Sequence, residues 1–157
     1  MTRRRGGYRE TNLARILVID DEAPIRLLCR VNLEAAGMEV REASDGVVGL
    51  AAAQEEPPDA ILLDVMMPGM DGWQVLEGLL EDERTQEIPI VFLTARAELR
   101  DQARGLELGG VDYVTKPFNP LELAPLVEGL LERVSRGESQ DLRRERLAEL
   151  RSLLDGH

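Results

Sequence analysis

The chain has 157 residues, of which 43% are apolar and 31% charged, with a formal net charge of −11 and a single cysteine, Cys29. That length suits one domain built on one core, and one cysteine excludes both a disulfide framework and a cysteine-based zinc site. No apolar run approaches the roughly 18 residues of a membrane span, and Arg3, Arg4 and Arg5 lead into polar residues, so a soluble cytoplasmic protein with no membrane partner is expected.

Residues 1–14 carry four Arg against one Glu and read as a basic arm. Ile16 to Ile19 is continuously apolar, as a strand covered on both faces should be. Ile25, Leu28, Cys29, Leu33 and Ala36 then fall on one helical stripe, with Gly37 as its stop. Met38 to Arg41 alternates apolar and charged residues, the pattern of an edge strand. Asp45 to Gln54 predicts a short second helix. Ala60 to Leu63 is a second buried strand, after which Asp71 caps a third helix that turns Trp73, Leu76 and Leu80 inward. Ile90 to Leu93 is a third buried strand, followed by a weaker helical pattern over 98–108. Val111 to Val114, interrupted by Asp112, reads as the other edge strand. Asn119 and Pro120 open a fifth helix with Leu123, Leu126, Val127, Leu130 and Val134 inward, and Pro125 within it is expected to bend the turn. Beyond Val134 a charge-rich segment containing Leu142, Leu147, Leu150, Leu153 and Leu154 predicts a helical tail: a solvated extension, a dimer contact or a connector.

Five repeats of strand then helix define an α/β fold, a doubly wound parallel sheet with helices on both faces. The organisation expected is an arm over 1–14, a domain over 15–134 and a tail over 135–157. The tail is neutral and the arm carries +3, which leaves −14 on the domain. So acidic a body repels phosphate backbones and attracts divalent cations and basic protein surfaces. Direct nucleic-acid binding is not expected.

Ligands of such sheets bind at the carboxyl ends of the strands. There the sequence sets Asp20 and Asp21 after the first strand, Asp64 after the third, Thr94 after the fourth, and Thr115 with Lys116 after the fifth. Lys116 is the only lysine among 19 basic residues, a compact point charge where the rest of the chain uses the planar arginine fork. Converging carboxylates repel unless a hard cation neutralises them; Mg²⁺ suits few protein oxygens together with phosphate oxygens. A carboxylate so placed can attack phosphorus to give an acyl phosphate, with the metal, a lysine and a hydroxyl spreading the transferred charge.

Four stretches carry a resemblance: Ile16-Leu-Val-Ile-Asp-Asp-Glu22, Leu63-Asp-Val-Met-Met-Pro-Gly-Met-Asp-Gly72, Phe92-Leu-Thr-Ala95 and Tyr113-Val-Thr-Lys-Pro-Phe118. In order and spacing they resemble the receiver domains of two-component response regulators, over roughly residues 15 to 134. The resemblance implies a flavodoxin-like, CheY-like sheet of order 2-1-3-4-5. It also implies a phosphorelay switch in which Asp64 accepts a phosphoryl group from a histidine kinase. Asp20, Asp21, Asp64 and the Met66 carbonyl would hold Mg²⁺. Lys116 would pair with the phosphoryl oxygens, Thr94 would follow the phosphate inward, Tyr113 would turn with it, and Pro117 would fix the lysine through a cis peptide. Met66 and Arg96 resemble the positions that tune phosphate lifetime; Met66 cannot orient water, so slow self-dephosphorylation is expected. The implied partners are a sensor histidine kinase or histidine phosphotransfer protein, a downstream protein target, and a second copy of the chain in a phosphorylation-dependent homodimer. Beyond its own phosphorylation and dephosphorylation no enzymatic activity is expected. The alternatives are an intermediate carrier that passes phosphate on to a histidine phosphotransfer protein, and a Mg²⁺-dependent aspartyl-phosphate phosphatase, against which the apolar Met66 two residues past the nucleophile counts.

Overall fold

In the computed structural model, which describes residues 13–95 and 99–155, strands and helices alternate along the chain. They are β1 (Arg15–Ile19), α1 (Ala23–Ala35), β2 (Glu39–Ala43), α2 (Gly46–Glu55), β3 (Ala60–Asp64), α3 (Gly72–Leu80), β4 (Ile90–Ala95), α4 (Leu99–Leu108), β5 (Asp112–Lys116), α5 (Pro120–Ser135) and α6 (Ser139–Asp155). All strand pairs are parallel and the order is β2-β1-β3-β4-β5, so the expected doubly wound sheet is present. Residues 1–12 of the basic arm lie outside the described residues.

The three central strands are buried on both faces because neither face lacks a helix. Alternate residues therefore enter two separate cores. Ile16, Val18, Leu62 and Leu93 pack with Cys29, Leu33 and the inner stripe of α5, whereas Leu17, Ile19, Ile61 and Phe92 pack with Val75, Leu76 and Leu79 of α3. Cys29 is wholly buried in the first core, and burial pushes its thiol up to about 12, so it is inert packing.

Helix starts follow the expected chemistry. Asp45 and Asp71 cap α2 and α3 by accepting from the amides of Val48 and Gln74, and Gln74 returns the bond to complete a capping box. Asn119 accepts from Leu121 N at the start of α5. Asp45 is thus a cap and not the first helical residue. α5 continues unbroken through Pro125, which stands on its exposed side; the pyrrolidine ring occupies no core volume there.

Several residues expected inside are on the surface. Leu28 is 41% exposed and Leu80 38%, and Ala36 is exposed as the cap residue of α1. The stripe of α1 is narrowed to Cys29 and Leu33, flanked by a half-buried Ile25. The tail is a helix, as expected, and it is not merely solvated, since α6 packs against α4, β5 and α5.

Candidate functional site

The carboxyl ends of β1, β3 and β5 meet at one rim of the sheet, and each delivers a charged side chain there. The β1 end brings Asp20, wholly buried and fixed by an amide bond, Glu22 N donating to Oδ1 at 2.9 Å. Its own backbone is held on both sides: its N–H donates to the Ala43 carbonyl at 3.1 Å and its carbonyl accepts from Arg26 at 2.8 Å. Asp64 ends β3, 4% exposed, and accepts from Met66 N at 3.2 Å. The turn after it is compact because α3 begins with Gly72. A Cβ at that position would stand 2.5 Å from the Asp64 carbonyl oxygen and 2.7 Å from Val65 Cα, so any larger residue would push the strand end and the helix apart.

Lys116, the last residue of β5, supplies the cation. Its ammonium lies 2.8 Å from Asp20 Oδ2, 3.2 Å from Glu22 Oε2 and 3.5 Å from Asp64 Oδ1. Those acids hold it above its ordinary range, against the burial that opposes its charge. Asp20, Asp21, Glu22 and Asp64 each offer an oxygen within 4.8 Å of the others. One ammonium among four carboxylates leaves the cluster under-neutralised. Asp64 absorbs the imbalance: burial first, and then the Asp20 charge, push its carboxyl up to about 7, with Lys116 and the Met66 amide pulling the other way.

Of the residues expected at the site, Asp20, Asp21, Asp64 and Lys116 are brought together. Thr94 is buried near the end of β4, beside Asp64 in the sheet order, and pairs in register with Thr115. The Lys116–Pro117 peptide is cis, as expected. The Met66 side chain is 64% exposed. Tyr113 lies half-buried on β5 against the α3-side core. Arg96 lies outside the described residues. Glu22 was not anticipated as a site residue. Its signal was its place directly after the two aspartates, where the chain turns into α1.

Two buried carboxylates, Asp20 and Asp64, and two exposed ones, Asp21 and Glu22, surround one lysine at the strand ends of an open α/β sheet, the edge where such folds bind ligands. The sequence profile of the response regulator receiver domain matches residues 16–128. The chain belongs to that family. It is 44% identical over 124 residues to the DNA-binding dual master transcriptional regulator RpaA of Synechocystis sp., a match covering 79% of this chain and 52% of the relative. The phosphate regulon transcriptional regulatory protein PhoB of Escherichia coli is 46% identical over 121 residues, covering 77% of this chain and 53% of the relative. The chain thus spans about half the length of these curated relatives. Among solved structures it superposes on a response regulator receiver domain protein of Clostridium thermocellum, with TM-score 0.71 and 29% identity over 78% of this chain and 98% of that one. It also superposes on the chemotaxis protein CheY4 of Vibrio cholerae, with TM-score 0.65 and 33% identity over 79% of this chain and 98% of that one.

Proposed function

We propose that this receiver domain is a phosphorylation switch in which Asp64 takes a phosphoryl group from a phosphohistidine in a Mg²⁺-dependent step. The observation that carries this reading is the under-neutralised cluster: three further acids crowd Asp64, with Lys116 as the one ammonium among them. All its donors are hard oxygens, partly exposed at Asp21 and Glu22, which suits Mg²⁺ rather than a transition metal. Asp20, Asp21 and Asp64 would hold the ion with the Met66 carbonyl, and Glu22 belongs to the same carboxylate cluster. Bound there, Mg²⁺ would supply charge neutralisation for the incoming phosphoryl oxygens.

The protein's own groups do the rest. Asp64 is the nucleophile: a carboxylate oxygen forms the new bond to phosphorus as the phosphorus–nitrogen bond of the donor breaks. The imidazole nitrogen leaves with the electron pair and takes a proton. Lys116, 3.5 Å from Asp64, turns from its carboxylate partners toward the phosphoryl oxygens. Thr94, buried one strand away, donates its hydroxyl to the same group. Thr94 and Tyr113 are the switch residues of this reading, Pro117 is the support of the lysine, and Met66 and Arg96 set the lifetime of the phosphate.

The partners that follow are a sensor histidine kinase or phosphotransfer protein upstream and a protein target downstream. The name of the Synechocystis relative includes DNA binding; in this chain the acidic body disfavours phosphate backbones, so any such output would rest on residues outside that body. Intact mass after incubation with acetyl phosphate and Mg²⁺ tests the reading. A gain of one phosphoryl group that disappears with chelator supports it; no gain from folded protein overturns it.

A further inference from the structure

Helix α6 crosses the sheet edge and lies chiefly along α4, touching β5 and α5. Its apolar grip rests on two buried leucines and two half-buried ones, Leu147 and Leu154. Leu142, 3% exposed, enters the α5-side core, and Leu150 is wholly buried, whereas Leu153 is 48% exposed. The rest of the attachment is made by arginines. Arg143 donates to the carbonyls of Gly109 and Gly110 at 2.9 and 2.8 Å, where the turn from α4 to β5 leaves backbone oxygens without strand partners. Arg146 donates to Asp112 Oδ1 at 2.9 Å, and Arg151 reaches Glu107 of α4 at 3.0 Å. From the other side, Arg133 of α5 holds Glu145 through two bonds of 2.8 Å.

The clamp and the phosphoryl site share one strand. Asp112, the first residue of β5, is nearly buried and bound to α6; Lys116, the last, is bound to the carboxylate cluster. Three residues lie between them, four steps of strand or about 13 Å. Tyr113 stands between, and its amide donates to Asp112 Oδ1 at 2.7 Å, the same oxygen that Arg146 holds. On the α5 side the cover does not close. A cleft of about 460 Å³ remains between α5 and α6, lined by Pro125, Leu126, Gly129, Arg136 and Arg146. Only two of its four inward leucines are fully buried, several of its charged bonds lie at the surface, and the cleft beside it is open, so α6 is an element that local opening can reach.

We infer that α6 is a detachable cover of the surface formed by α4, β5 and α5, held closed in the unphosphorylated chain and released when Asp64 is phosphorylated. The inference rests on the reading of Asp64 as phosphoacceptor. A phosphoryl group draws Lys116 off Asp20 and Glu22, β5 carries that adjustment to Tyr113 and Asp112, and the Arg143 and Arg146 bonds weaken together. Release uncovers Asp112, Glu107 and the Gly109 and Gly110 carbonyls for a partner that presents arginines as α6 does. By linkage, loosening the clamp favours phosphorylation as much as phosphorylation loosens the clamp.

Hydrogen exchange of the full chain, read by mass spectrometry with and without acetyl phosphate and Mg²⁺, tests this, with intact mass taken on the same samples. Phosphorylated protein is expected to exchange the amides of 139–155 roughly fivefold or more faster. The double variant Arg143→Gln, Arg146→Gln is expected to show that faster exchange without phosphate, with residues 13–95 unchanged, and to hold a larger phosphorylated fraction than the parent under the same donor. Full phosphoryl gain with unchanged exchange over 139–155 overturns the cover while leaving the switch intact. Absence of phosphoryl gain overturns the switch, and the cover with it.

Discussion

Replacing Asp64 by Asn should stabilise the metal-free protein, although it removes the residue on which the proposed function depends. In the folded chain the Asp64 carboxyl keeps its proton up to about pH 7, whereas in the unfolded chain it releases it near 3.8. Between those values the folded state binds the extra proton, so wild-type stability falls as pH rises from about 4 to 7 and stays reduced above. At about 1.4 kcal/mol for each tenfold in proton affinity the full difference is about 4 kcal/mol. The rim opens to water through Asp21 and Glu22, and that screening reduces the expected gain to about 1–2 kcal/mol. The Asn side chain still accepts from Met66 N, and Lys116 keeps its nearer partners Asp20 and Glu22, so the loss of the 3.5 Å ion pair takes little away. Thermal unfolding in chelator at pH 8 should show the variant melting about 2–8 °C higher, with the gain vanishing toward pH 4. Added Mg²⁺ should raise the wild-type midpoint and leave the variant nearly unmoved. A variant less stable than wild type at pH 8, or a gain independent of pH, would refute the picture of an electrostatically strained cluster.

Two further substitutions probe the neighbours. Lys116→Ala strips buried Asp20 of its 2.8 Å partner and should cost about 3 kcal/mol in urea unfolding without metal, with phosphoryl uptake slowed; unchanged stability would mean the ammonium is not what holds the acids together. Met66→Asn puts an amide that can orient water where an exposed thioether now stands, and should speed phosphate loss roughly tenfold, about 1.4 kcal/mol of barrier, in a phosphate-release assay. An unaltered rate would remove Met66 from the residues that set phosphate lifetime.

The sheet was legible because its signal is local. A continuous apolar run that stops at Asp20, Asp64 or Thr94 encodes both a strand covered on two faces and the polar group at its end, and the structure places these groups at one rim. Lys116 stood out by being a lysine at all. The residues that escaped notice depend on distant partners. Glu22 joins the cluster only because β5 brings Lys116 back to within 3.2 Å across 94 positions of sequence. The docking of α6 was hidden for the same reason. Its arginines look solvated until Gly109, Gly110 and Asp112, more than 30 residues earlier, are seen to receive them. Leu28 and Leu80 were misplaced because helical periodicity marks a face without fixing how wide the neighbouring helices leave it.

The most direct test of the account is to locate the phosphoryl group. Reductive trapping of the acyl phosphate after treatment with acetyl phosphate and Mg²⁺, followed by peptide mass mapping, should mark residue 64 alone, and chelator should abolish the mark. A mark on any other carboxylate, or one that forms equally well without metal, would contradict it.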